Sequence, residues 1–487
     1  MISTVSNSHN GNALRRIGRD LQAPFSLQVR SGDQTHQLLC SELLRLLPHK
    51  RVTCFAQWNH QPVVIKCFVD QVKWKRHTKR ELQGYRALEK ANITTPDILE
   101  YGFDEQQKLG FIIFQRLTPS QSLLSRINTT DSKEERLSLI QRACQLIALM
   151  HNKGVAQHDI HLDNFIEYKN ELYVIDCGDI STSTHLPLDR GNSLKNLALF
   201  LAQLPLIFDD SAAFALETYQ SISIGKKFDI QMLLDQMQLL RNRRLANYQK
   251  KLFRDCTEII YNHDIQHISA SRRALTGPEL NCWKLDPDSP FQTEEILKYG
   301  GQTIVSASFD QRQTFIKRYN IKNAAHQAQR AFRPSRAHIS WIAAHSFRFY
   351  GIKTPEPIAM VEQRLGPIRR HAYYVSEFID GTMLIDYFND DTPESQIQQI
   401  VSRMIEVFRL FKLGNITHGD TKATNFMVVK NNVYVIDLDS VRFHTSPRTF
   451  QKTFKKDVLR FLRNWDDKPE IRDLFEKDLM SLLTHSR

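Results

Sequence analysis

The feature that most constrains this chain is a repeat. Residues 157–180, QHDIHLDNFIEYKNELYVIDCGDI, return within residues 417–441, THGDTKATNFMVVKNNVYVIDLDSV. Asp159, Asn164, Tyr173 and Asp176 recur without a gap as Asp420, Asn425, Tyr434 and Asp437, each 261 positions later. The flanks follow. SLKNLALFLAQL and TFKKDVLRFLRN pair Asn196 with Asp457 at the same displacement, and both carry apolar residues at helical spacing. Upstream, Leu137, Ile140, Cys144, Ile147 and His151 line one face of a predicted helix. Ile397, Val401, Met404, Phe408 and Phe411 do so in the second copy, after a Thr392-Pro393 start signal. A repeat of this length is a folding unit used twice rather than a short motif.

Further upstream each copy has an alternating, strand-like run containing a lysine: QPVVIKCF with Lys66 and QTFIKRYN with Lys317. A helix-like segment follows, closed by ITTP in one copy and IKTP in the other, and then more strand-like sequence. The lysine precedes the loop aspartate by 93 residues in the first copy and 103 in the second. At 487 residues the chain exceeds what one hydrophobic core usually supports. The expected organisation is a polar N-terminal segment at 1–36, a first domain at 37–228, a basic helical connector at 229–285 and a second domain at 286–487.

Composition narrows the partners. The net charge of +12 and a pI near 9.3 favour anionic ones: nucleotides, nucleic acid, phosphorylated sugars or an anionic membrane face. Seven scattered cysteines without a C-x-x-C pair read as reduced thiols, not as a disulfide or zinc framework. The first residues lack a signal-peptide core, and no run of 18 apolar residues occurs. The expectation is a cytoplasmic protein.

Phosphoryl transfer from ATP needs a lysine on the nucleotide phosphates, a carboxylate beside the incoming hydroxyl, and carboxylate and amide oxygens for Mg²⁺. Each copy offers them in the protein-kinase order: strand lysine, D-x-x-x-x-N loop, strand-ending aspartate. These are Lys66, Asp159, Asn164 and Asp176, then Lys317, Asp420, Asn425 and Asp437. A step of twelve positions from asparagine to aspartate suits a hairpin that returns both to one cation. A zinc site at His158 and His161 is disfavoured, since neither an E-x-x-H helix nor a cysteine pair accompanies them.

The segments VVIKCF, KRELQGYRALEKANITTP, QHDIHLDNF and YVIDCGD in one half, and KRYN, IKTPEPIA, HGDTKATNF and YVIDLDS in the other, resemble the lipopolysaccharide core kinase family. These kinases act on Kdo or heptose. The tandem arrangement resembles the family's double-kinase members. The resemblance implies an α+β, protein-kinase-like bilobal fold present twice. It implies ATP-phosphate binding at Lys66 and Lys317, catalytic-base roles for Asp159 and Asp420, and Mg²⁺ at Asn164, Asp176, Asn425 and Asp437. Glu81 would be the helix glutamate paired with Lys66, and Lys422 would meet the transferred phosphate. The implied partners are ATP and the core oligosaccharide or a lipid-linked sugar, with any membrane contact peripheral on the cytoplasmic face of the inner membrane and no nucleic acid.

Three departures stand out. Neither half has a G-x-G-x-x-G loop; the first has no glycine between Gly32 and Gly84, the second only Gly300-Gly301. Residues 320–355 contain no Asp or Glu, so Lys317 lacks an obvious helix glutamate. That segment instead carries Lys322, Arg330, Arg333, Arg336, Arg348 and Lys353, read either as a solvated face or as a grip on substrate phosphates. Two other functions fit the same residues: a small-molecule kinase acting on an aminoglycoside, choline or sugar, and a nucleotide-binding pseudokinase scaffold for core assembly.

Overall fold

The computed structural model describes residues 8–130, 132–225, 227–300, 302–320, 333–366, 368–389 and 392–484. It is α+β and divides into two compact units, Met1–Leu204 with Phe208–Arg241, and Pro205–Ile207 with Asn242–Arg487. No helix among the described residues is long and apolar enough to cross a membrane.

The first unit is built on a seven-stranded sheet. Its spatial order is Ser8–His9, Phe25–Ser31, Gln34–Leu47, Arg51–Trp58, Gln61–Phe68, Leu109–Gln115, Ile98–Asp104, antiparallel apart from the first pair. Alternation in QPVVIKCF buries Val63, Ile65 and Cys67 on one face with Leu27, Cys40 and Phe111, while Lys66 faces the other way. On that other face lies the helix Trp74–Lys90. Asp70 starts it by accepting from the amides of Val72 and Lys73, and Asn92, at φ 57°, ends it. Its inner side presents Thr78, Glu81, Leu82, Tyr85 and Leu88 at helical spacing. Leu82, Tyr85 and Leu88 continue into a helical part, where Ile140, Cys144 and Ile147 of Lys133–Asn152 pack with Phe165, Phe200 and Tyr219.

The second unit repeats this succession. Its sheet runs Ile259–His263, His267–Arg272, Pro357–Leu365, Ile368–Glu377, Arg312–Tyr319, Gln302–Phe309, Ile296–Lys298, antiparallel throughout. The helix Arg336–Tyr350 occupies the place of Trp74–Lys90, and Glu394–Leu413 that of Lys133–Asn152. Trp341, Phe347, Phe408, Phe426, Phe461, Trp465 and Phe475 form its main core. The predicted faces are buried in both long helices, with Leu137 and Ile397 at the half-buried margin.

The extra strands differ from the expected segmentation. The N-terminal segment is not separate: from Ser8 onward it supplies the first two strands of a sheet, with Phe25, Leu27 and Val29 buried. Nor is 229–285 one helical connector. The helix ends at Lys251, and residues 259–272 form a hairpin whose second strand bonds to Pro357–Leu365. An unpaired sheet edge attracts such a hairpin, because its backbone groups need partners. The first sheet is extended next to Gln34–Leu47 and the second at the opposite side, so the two seven-stranded sheets are not extended alike.

Candidate active site

In the first unit three elements converge. The strand carries Lys66, whose Nζ lies 2.5 Å from Oε1 of Glu81 on the helix and 2.8 Å from Oδ1 of Asp176. Lys66 and Glu81 are 7% and 1% exposed, so each charge is tolerable only because the other is beside it. Asp176 follows the strand Glu171–Val174 and adopts a left-handed backbone, φ 57° and ψ 63°, that turns its carboxylate back towards the lysine. Asp437 repeats this at φ 58° and ψ 60°. The left-handed region is costly for a residue with a Cβ, and the same outlier in both copies marks a constrained site.

The asparagines are tied to these aspartates through the backbone. The amides of Ile175 and Ile436 donate to the carbonyls of Asn164 and Asn425, at 2.8 and 2.9 Å. The side-chain amides of Asn164 and Asn425 donate to the carbonyls of Asp159 and Asp420, at 2.9 and 2.8 Å. The amide nitrogen is thus spent on the loop, which leaves the amide oxygen to accept or to ligate a cation. Two hard oxygens per site suit Mg²⁺, which takes few protein ligands and completes its shell with water and substrate phosphate. Among the described residues no group of three or more His, Cys, Asp or Glu side chains could hold a metal by themselves.

The second unit uses the same scaffold with different charges. Lys317 Nζ lies 3.2 Å from Asp437 Oδ1. Asp420 is half-buried; Arg460 approaches it at 2.6 Å, and the exposed Lys422 at 3.9 Å. Asp159 is exposed instead. Burial pushes the carboxyl of Asp437 up, but Lys317 outweighs it and holds it below the usual range. The same contest at Asp176 ends well below that range, because Lys66, Arg51 and Arg45 all oppose burial.

Both loops are anchored from the helix behind them, at the positions the repeat pairs. Asp457 accepts from the amides of His418 (2.7 Å) and Gly419 (3.2 Å), and its carbonyl accepts from Thr421 (2.6 Å). Asn196 instead donates to the carbonyl of Gln157 (2.8 Å), and its oxygen meets His151 Nε2 at 3.0 Å. His418 Nε2 is 3.0 Å from the carbonyl of Ile436, and Gln157 Nε2 donates to the carbonyls of Ile175 and Asp176. Gln157 and His418 therefore do one job, bracing the strand that ends in the aspartate. His161 accepts from the amide of Asp163, a turn-capping role, and His158 is exposed.

Sequence reasoning missed Arg45 and Arg51. They flank the turn at residues 48–50 between the strands Gln34–Leu47 and Arg51–Trp58, and both reach Asp176 at 3.2 Å. Arg51 stands fifteen residues before Lys66, as Gln302 does before Lys317. The absent glycines are replaced there by a basic turn, LLPHKR, and that basic run was the available signal. In the basic segment of the second copy three side chains have partners, and Arg333 is exposed. Arg336 pairs with Asp439 at 2.5 Å, Arg348 with Glu356 at 3.3 Å, and Lys353 donates to Asn432 at 2.7 Å. Lys322 and Arg330 lie outside the described residues.

Residues 294–484, within the second unit, match the model of the lipopolysaccharide kinase (Kdo/WaaP) family. This segment belongs to that family. The lipopolysaccharide kinases are phosphotransferases acting on sugar hydroxyls, so the chain is an enzyme of that class, with ATP use implied by kinase membership. No curated protein matches the chain.

Proposed function

We propose that the chain is a tandem of two protein-kinase-like units, and that the second transfers the γ-phosphate of ATP to a heptose or Kdo hydroxyl of the lipopolysaccharide inner core. The observation that carries this is the convergence of Lys317, Asp420, Asn425 and Asp437 from separate elements of the unit that bears the family match.

Asp420 orients the acceptor hydroxyl and takes its proton, while Arg460 and Lys422 fix the carboxylate's direction. Lys317 grips the nucleotide phosphates. Lys422, exposed beside Asp420, meets the phosphoryl group as it leaves the nucleotide. Asn425 and Asp437 are the residues that would hold Mg²⁺, which would supply neutralisation of phosphate charge. Little covalent work falls to the protein, so positioning and charge supply most of the rate. The net charge of +12 suits an anionic, lipid-linked acceptor at the cytoplasmic face of the inner membrane.

In the first unit Lys66, Arg45 and Arg51 crowd one carboxylate, which favours phosphate binding there. Nucleotide occupancy of both units is part of this reading. The test is phosphate transfer to purified core oligosaccharide by Asp159→Asn, Asp420→Asn and the double variant. Asp420→Asn should abolish transfer; undiminished transfer by the double variant would sink the assignment.

A further inference from the structure

The strand that carries each phosphate lysine and the strand beside it pair in the same register in both units, so their residues compare one for one. Arg51–Trp58 pairs with Gln61–Phe68 as Gln302–Phe309 pairs with Arg312–Tyr319, with Thr53 opposite Lys66 and Ile304 opposite Lys317. Arg51 thus corresponds to Gln302. Across the turn, Arg45 stands opposite Thr53, and the exposed Lys298 stands opposite Ile304.

The cations on the two strand-ending carboxylates differ. Asp176 Oδ1 accepts from Lys66 at 2.8 Å and from Arg51 at 3.2 Å, while Oδ2 accepts from Arg45 at 3.2 Å. Both oxygens are engaged. Asp437 meets one cation among the described residues, Lys317. Gln302 turns away from it and donates to Asp439 at 2.6 Å, and Asp439 is paired with Arg336. The first site therefore sets three cations against Glu81 and Asp176 and stays positive; the second sets Lys317 and Arg336 against Asp437 and Asp439 and is neutral.

That difference bears on what a triphosphate needs. Its negative charge has to be met when it leaves water, and a divalent cation is the usual source. A divalent ion approaching Asp176 would meet three positive charges already at that carboxylate, which oppose it. The same charges suit phosphate oxygens. A guanidinium carries five N–H donors in a planar fork that matches phosphate. Arg45 and Arg51 each bring one Nη to Asp176, and Nε of Arg51 is buried with no hydrogen-bond partner.

We propose that the first unit binds the triphosphate of ATP without a divalent cation, Arg45 and Arg51 supplying the positive charge that the second unit has to take from a metal ion. This rests on the reading of both units as nucleotide sites.

The experiment titrates the full chain with ATP by calorimetry, once in EDTA and once in Mg²⁺, and follows the melting temperature. The parent should bind one ATP per chain in EDTA and two in Mg²⁺. Arg45→Ala should weaken the EDTA site about tenfold, and adding Arg51→Gln, the second unit's residue, should bring the loss to about a hundredfold. The Arg45 side chain is 53% exposed, so the single variant carries the test if the double variant does not fold. Two sites in Mg²⁺ with none in EDTA would overturn the inference and leave the nucleotide reading standing. Two sites in EDTA, or an EDTA site that folded Arg45→Ala leaves unaltered, would also overturn it. One site in Mg²⁺ that Lys66→Met does not weaken, with none in EDTA, would overturn the nucleotide reading of the first unit as well.

Discussion

Asp457→Ala is the sharpest test of how the second unit holds its catalytic loop. The substitution removes a carboxylate that accepts the backbone N–H groups of His418 and Gly419 while leaving the Asp457 carbonyl, and its bond from Thr421, in place. Hydrogen bonds to a charged group contribute about 1.5–3 kcal/mol each. Burial, which pushes the Asp457 carboxyl above its ordinary pKa despite the Gly419 and His418 bonds, shows that part of this gain is offset by desolvation, so the lower end applies. Two bonds at about 1.5 kcal/mol give roughly 3 kcal/mol, or about a hundredfold in the equilibrium between held and open loop. Hydrogen–deuterium exchange at the 418 and 419 amides reads this directly, and their protection should fall about a hundredfold. Asp457→Asn keeps one acceptor oxygen, and its amide opposes the other N–H, so a loss of about tenfold is expected. Turnover should follow, with kcat falling in the same order, because Asp420 sits on the released segment. Exchange in Asp457→Ala within threefold of the parent would refute the reasoning.

Three further outcomes follow from the same geometry. Glu81→Ala leaves Lys66 buried with only Asp176, and breaking a buried pair from one side costs about 3–5 kcal/mol, which denaturant unfolding of the first unit should register. Arg51→Ala removes one of three cations from Asp176 and should weaken ATP binding by the first unit about five- to tenfold in calorimetry, while the ATP KM of transfer by the second unit, with Asp420 intact, stays unmoved. His345 is buried against Trp341 and Tyr248, and burial, with Arg272 and Arg348, lowers its pKa to about 3 from 6.5. The unfolded chain therefore binds the proton more readily, so this contribution is complete above about pH 6.5 and is lost as pH falls towards about 3. At pH 5 that is roughly 2 kcal/mol, and His345→Gln should flatten the fall in melting temperature between pH 7.5 and 5.

The Asp–Asn–Asp set was legible because it is local. One hairpin connects the asparagine to the aspartate, the repeat duplicates it at a constant displacement, and the backbone bonds Ile175–Asn164 and Ile436–Asn425 close it the same way in both copies. Glu81 was legible for a similar reason: it lies on the next helix, two turns from its start, facing inward with Leu82 and Tyr85. The extra strands were not legible. The strands at 8–9, 25–31, 259–263 and 267–272 are short and polar in part, and what makes them strands is a sheet edge far away in sequence.

By itself the sequence shows a repeat, the residues that the repeat pairs, and side chains of the types that phosphoryl chemistry uses. Periodicity and spacing carry that information because helices, hairpins and tight turns are set by neighbours within a few residues. Tertiary structure decided the charges around each lysine. Arg45 and Arg51 enter the first site only because a hairpin turn folds over it, and Arg336 leaves the supposed phosphate grip because Asp439 is buried beside it. Ion pairing in a low-dielectric interior depends on distances across more than a hundred residues of chain, and no local pattern encodes them.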